Sequence, residues 1–153
     1  MSETLNCDDK GVILSCLECG TDNRIGFSKL DAEGRCGSCK AALPKISLPF
    51  DMGTSAAFAN LVKQSPLPVV VDFWAPWCGP CQMMGPEFSK GAQMTSGQAV
   101  FVKVNTEALQ DVAGQFRISG IPAFAILKDG QEVARATGAR MAAQLVDWLR
   151  QNI

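Results

Sequence analysis

The chain has 153 residues, with 14 Lys+Arg against 15 Asp+Glu, a formal net charge of −1, 47% apolar residues and 19% charged ones. That balance fits a folded globular chain and excludes wholesale disorder. It offers no basic footprint for nucleic acid or an anionic membrane, and its longest apolar run is too short to cross a bilayer as a helix.

Met1 to Asp9 has neither a basic start nor an apolar core, and Asp8 and Asp9 argue against a transit peptide. The expected compartment is the cytoplasm, where structural disulfides are rare. There is no histidine, which excludes imidazole acid–base chemistry, Cys-His nucleophiles and His-ligated metal. Six of the seven cysteines form three C-x-x-C pairs, and Cys7 stands alone. Cys7 is expected as a free thiol on a loose terminus, with ligand exchange or an intermolecular disulfide as alternatives.

Residues 1–44 hold five of the seven cysteines and a net charge of −2, against +1 for residues 45–153. We place a boundary near Pro44, where Leu43-Pro44-Lys45-Ile46-Ser47-Leu48-Pro49 breaks regular structure. Cys16-Leu17-Glu18-Cys19-Gly20 and Cys36-Gly37-Ser38-Cys39-Lys40 are separated by 16 residues, a spacing that reads as a zinc site. Four thiolates, Cys16, Cys19, Cys36 and Cys39, would complete a tetrahedron around one structural Zn²⁺. Such an ion would supply folding free energy to a segment with few large apolar side chains. Gly20 and Gly37 are expected to relieve the tight turns. Two extra redox disulfides or an iron site compete with zinc, but neither pair follows an evident buried strand or opens a convincing helix.

Further along, Thr54 is a plausible N-cap for a helix carrying Phe58, Leu61 and Val62. Val69 to Phe73 reads as a buried strand. A helix is predicted from just after Trp77 to about Gly97, then a strand over Val100 to Val104. Leu109, Val112, Ala113 and Phe116 have helical spacing. Ala123 to Lys128 and Glu132 to Thr137 flank Asp129-Gly130, a hairpin signal. Met141, Leu145, Trp148 and Leu149 predict the apolar face of a last helix. The sum is an α/β domain with a mixed sheet flanked by helices.

Residues 72–81 read Asp-Phe-Trp-Ala-Pro-Trp-Cys-Gly-Pro-Cys. The pair follows a buried strand and opens a helix, so free backbone N–H groups and the helix dipole favour a thiolate at Cys78. Gly79 leaves the approach open, and Pro80 fits a first helical turn. Cys81, one turn on, is expected to be the more buried sulfur and to resolve a mixed disulfide on Cys78. Asp72 stands in an apolar run, where burial raises a carboxyl pKa and suits it to accept the Cys81 proton. Trp74 reads as core and Trp77 as an apolar lip for substrate. Core packing suits at least one of Met83 and Met84.

Trp77-Cys78-Gly79-Pro80-Cys81 resembles the active-site motif of the thioredoxin family, and the resemblance covers roughly residues 50–153. It implies a thioredoxin fold, with Asp72 as the family's buried acid, Lys103 as the lysine near it and Pro86 as the proline that kinks the active-site helix. It makes Ile121-Pro122 the cis-proline segment that pairs with substrate, and Gly138 a glycine that shapes the groove. Ala123 departs from the threonine usual after that proline.

With the cysteine-rich start, which looks like a small zinc ribbon, the whole resembles the thioredoxin 2 group, bacterial thioredoxins with an N-terminal zinc-binding extension; Asn23-Arg24-Ile25 fits too. The expected organisation is therefore 1–44 a zinc-binding four-cysteine module and 45–153 a thioredoxin domain. The implied activity is reduction of protein disulfides and electron transport in oxidative-stress defence. Its partners would be disulfide-containing proteins and an NADPH-dependent thioredoxin reductase. Catalysis would fall to Cys78, Cys81, Asp72 and Lys103, and substrate contact to Trp77, Gly79, Pro80, Ile121, Pro122 and Gly138. The rivals are an oxidant or isomerase of the same fold, or a zinc-dependent holdase or adaptor.

Overall fold

Val69–Trp74 is almost wholly buried, and in the computed structural model, which describes residues 3–153, it is an inner strand of a six-stranded sheet. Residues 1 and 2, which begin the 1–44 segment and the stretch expected to hold no leader, lie outside the described residues. In chain order the elements are β1 (Leu5–Asn6), β2 (Gly11–Ser15), β3 (Asp22–Gly26), a 3-10 turn (Phe27–Lys29), β4 (Phe50–Asp51) and α1 (Ser55–Gln64). Next come β5 (Val69–Trp74), α2 (Gly79–Met94), β6 (Val100–Asn105), α3 (Gln110–Gln115), β7 (Ala123–Lys128), β8 (Gln131–Thr137) and α4 (Ala142–Gln151). The large sheet runs β1-β4-β6-β5-β7-β8. Its first four strands are parallel, and β7 and β8 are antiparallel to their neighbours.

Strand alternation sorts the core into two layers. Val69, Val71 and Phe73 pack with Ala57, Phe58, Leu61 and Val112 of α1 and α3. Val70, Phe101 and Phe124 pack with Met84, Phe88, Leu145 and Leu149 of α2 and α4. Asp72 follows Val70 by two and is in register with Lys103 and Phe124, so it belongs to the α2 side. The helix starts follow their local chemistry: Thr54 Oγ1 accepts the Ala57 N–H at 3.1 Å, capping α1. The Asp129-Gly130 hairpin forms as predicted, both residues at positive φ.

Two boundaries differ from expectation. α2 stops at Met94, not near Gly97: Thr95 leaves helical geometry (φ −114°, ψ 18°) and Gly97 turns the chain at positive φ. Met141 lies outside the apolar face of α4; it is the N-cap residue, 66% exposed, and Val146 takes its place in the buried face.

The cysteine-rich segment leans on the larger sheet. β2 and β3 form a hairpin, while β1 lies parallel beside β4, with Leu5 opposite Phe50. Val12, Phe27 and Leu30 are buried in the same cluster as Phe50, Phe58 and Leu61. A 44-residue stretch that cannot fill a core of its own shares one. The loose terminus expected around Cys7 is not what forms. Cys7 is a free thiol, but it bridges Val12 and packs against this cluster, and burial pushes its pKa up to about 12. The first cysteine pair does follow a partly buried strand, β2, but it then enters a turn and not a helix.

Candidate active site and metal centre

Cys78 is the N-cap of α2, with extended backbone (φ −88°, ψ 109°), and its Sγ accepts the Cys81 N–H at 3.2 Å. That is the capping role a serine or aspartate fills elsewhere, here assigned to sulfur. One turn brings Cys81 round to it, with Cα atoms 5.2 Å apart and the two joined as a disulfide. Each cysteine is 4% exposed, so the expected difference in burial is absent in this oxidised state. The flanks differ: Trp77, Gly79 and Pro80 are all exposed, leaving the pair open on that side. Trp77 Nε1–H donates to the Glu107 carboxylate, so the lip residue is held while 68% exposed.

Across from the pair, the Ile121–Pro122 peptide bond is cis, and the Ile121 carbonyl oxygen lies 3.9 Å from Cys78 Sγ. Gly138 donates its N–H to the Pro122 carbonyl at 2.9 Å. Its φ of +92° is one that a side chain would resist, which accounts for glycine there. Ile121, Pro122 and Gly138 are thus brought together beside Cys78.

Asp72 is fully buried, and neither carboxylate oxygen has a hydrogen-bond partner among the described residues. Burial pushes its carboxyl up to about 7, with Lys103 pulling the other way. A carboxyl poised there can both take and return a proton near neutral pH. Lys103 is in register with Asp72 and half-buried, its Nζ 5.1 Å from the centre of the Trp74 ring. Met84 is buried, as a core methionine should be, while Met83 is 74% exposed.

The four remaining paired cysteines also converge. Their Sγ atoms all lie within 4.8 Å of one another, with Cys16 and Cys39 at 3.6 Å and Cys19 and Cys36 at 3.6 Å. Bound to zinc at about 2.3 Å, tetrahedral thiolates sit roughly 3.8 Å apart, so the donor set fits that ion. The turns repeat: Gly20 N–H donates to the Cys16 carbonyl at 2.9 Å, and Lys40 N–H to the Cys36 carbonyl at 3.0 Å. Gly20 and Lys40 both have positive φ, 77° and 66°. Gly37 does not need that conformation, contrary to expectation; its N–H instead donates to Asn23 Oδ1 at 2.9 Å. The Cys39 and Ser38 amides facing Cys36 lower its thiol to about 6, toward the thiolate that a metal takes.

Family models match both parts of the chain. The thioredoxin model matches residues 49–151 and the model described as Thioredoxin 2, N-terminal matches residues 15–41. The chain belongs to the thioredoxin family. Thioredoxin C-3 of Corynebacterium nephridii is 37% identical over 142 residues, covering 93% of this chain and 96% of its own. Thioredoxin 1 of Synechococcus elongatus is 45% identical over 100 residues, covering 65% of this chain and 94% of its own. Among solved structures, a Plasmodium falciparum thioredoxin superposes with a TM-score of 0.62 at 27% identity, over 67% of this chain and 98% of its own. The protein is therefore a thiol–disulfide oxidoreductase, a protein-disulfide reductase of the thioredoxin type. Thioredoxins as a family act on disulfide substrates and are served by thioredoxin reductase. Among the described residues no helix is long and apolar enough to cross a membrane.

Glu107 was not legible in the sequence as the partner of Trp77, because a loop acid 30 residues away carries no spacing signal. Arg140, which closes the loop after Gly138, was missed because its side-chain partners are main-chain carbonyls, which no residue type announces.

Proposed function

We propose that Cys78 is the attacking thiolate, that Cys81 resolves, and that Asp72 exchanges the Cys81 proton. In the first step Cys78 Sγ bonds one sulfur of the substrate disulfide, and the other leaves as a thiolate. Asp72 then takes the Cys81 proton, and Cys81 Sγ attacks Cys78 Sγ. The substrate departs as a dithiol once protonated, and the two electrons it gained are those lost in forming Cys78–Cys81. Lys103 tunes Asp72 by its charge. Trp77, Gly79, Pro80, Ile121, Pro122 and Gly138 line the groove that receives substrate backbone. The observation that carries this reading is Cys78 Sγ at the N-terminus of α2, facing the Ile121 carbonyl.

An NADPH-dependent thioredoxin reductase would return the electrons, in the cytoplasm, with oxidative-stress defence as the setting. One structural zinc ion per chain would be held by Cys16, Cys19, Cys36 and Cys39, closing the coordination shell. The working division remains 1–44 for the zinc module and 45–153 for the thioredoxin domain.

The test is covalent trapping. Cys81→Ser should accumulate mixed disulfides with protein substrates, whereas Cys78→Ser should trap none and lose on the order of a thousandfold or more in turnover. Turnover retained by Cys78→Ser overturns the assignment. Metal analysis of the purified chain should return one zinc per chain.

A further inference from the structure

We infer that Arg140 is a positioning residue for the substrate groove, fixing the loop between β8 and α4 against the redox helix α2. The inference rests on the groove reading above, in which Ile121, Pro122 and Gly138 meet substrate.

Arg140 Nη2 donates to the Thr137 carbonyl at 2.9 Å, and Nε donates to the Gly138 carbonyl at 3.4 Å. The guanidinium carbon stands 5.8 Å from the centre of the Phe124 ring and 6.0 Å from that of Trp148. The Arg140 main chain points the other way: its N–H donates to Met84 Sδ at 3.2 Å. Two residues on, the Ala142 N–H donates to Glu87 Oε1 at 3.0 Å. Met84 and Glu87 both belong to α2, the helix that Cys78 caps. On the opposite side, Gly138 is bonded to Pro122. One short loop is thus pinned to the redox helix at one end and to the cis-proline segment at the other, and Arg140 holds its two ends in register.

The chemistry calls for arginine. Two carbonyls a residue apart need donors held in one plane, and the guanidinium supplies them from a single rigid fork. Its flat face also rests on aromatic rings that a compact ammonium would meet less well. A free loop here would let Gly138 and Pro122 move relative to Cys78, and displacement of a groove wall weakens the alignment of an incoming disulfide. A protein substrate, which lies along the groove, feels this. A small disulfide reaches Cys78 without it.

The experiment uses the full zinc-loaded chain and compares Arg140→Met, Arg140→Lys and Ile121→Ala with the parent. Steady-state reduction, with NADPH and thioredoxin reductase in excess as the electron donor, is followed with insulin as the protein disulfide and dithiobis(nitrobenzoate) as the small one. Both Arg140 variants should raise KM for insulin about three- to tenfold, with kcat within about twofold and the small disulfide unaffected. Lysine should not rescue, since it keeps the charge but not the fork. A proportionate loss on both substrates makes Arg140 a residue of general stability and overturns the inference. Unchanged insulin KM in both Arg140 variants, with KM raised in Ile121→Ala, overturns it while leaving the groove intact. Unchanged KM in all three removes the groove reading itself. Should Arg140→Met fail to fold, Arg140→Lys, with its stem and charge intact, decides alone.

Discussion

Two regions of this chain use C-x-x-C, and they use it in opposite ways. Around Cys78 and Cys81 the spacing is wound into the first turn of a helix, and the two sulfurs meet each other. Around Cys16 and Cys36 the same spacing is wound into a turn closed by a residue at positive φ, and each sulfur approaches one from the other pair. The residue count between cysteines therefore says little. The backbone just beyond the second cysteine decides: helix directs the sulfurs inward, and a left-handed residue turns them toward a shared centre. Proline at the third position favours the first outcome, and glycine after the second cysteine favours the second.

The contrast can be broken most severely at the seam between the two regions. Phe27 is wholly buried in the cluster it shares with Phe50 and Phe58. Phe27→Ala should cost about 3–5 kcal/mol and lower the melting temperature of the whole chain, not of the N-terminal part alone. Chelation of the zinc proposed for the four cysteines should act in the same direction, and calorimetry that shows two independent transitions would count against a shared core.

Asp72 sharpens the redox side. Its folded pKa of about 7 lies above the ordinary 3.8, so the folded state is not penalised below the ordinary value and loses stability as pH rises from there through about 7. Asp72→Asn should remove that slope and stabilise the fold by about 2–4 kcal/mol at pH 8, measured by denaturant melts across pH. If Asp72 takes the Cys81 proton as proposed, the same variant should also slow disulfide release. A parallel pH profile for parent and variant would show that Asp72 is not the titrating group.

The smallest effects test the metal side. Gly20→Ala should cost about 1 kcal/mol, and Lys40→Gly should gain up to about 1 kcal/mol, because each residue holds the same left-handed conformation. Opposite signs in chemical melts would confirm that the knuckles are equivalent turns.

Much of the fold could be read in advance where periodicity runs long. Val69–Trp74, the hairpin around Asp129-Gly130 and the helix after Thr54 each carry several residues of consistent signal. β1 and β4 have two residues each, too few to show a period. Their pairing exists because Leu5 and Phe50 meet in three dimensions, which no local pattern records. The candidate site follows the same rule. Cys78, Cys81 and Asp72 stood out because the proposed chemistry asks for those residue types there. Lys40, a lysine in a conformation that favours glycine, did not, and neither did Arg140, whose partners are main-chain carbonyls.

Cys7 gives the seam between the regions a built-in gauge. Its thiol is half-buried where the chain leaves β1 to meet β2, and its proton is held far above neutrality. An alkylating reagent meets it as a thiolate more readily when that corner unzips. The rate at which Cys7 is labelled in otherwise native protein therefore reports how often the first strand lifts from the sheet, an opening that absorbance and activity would both pass over.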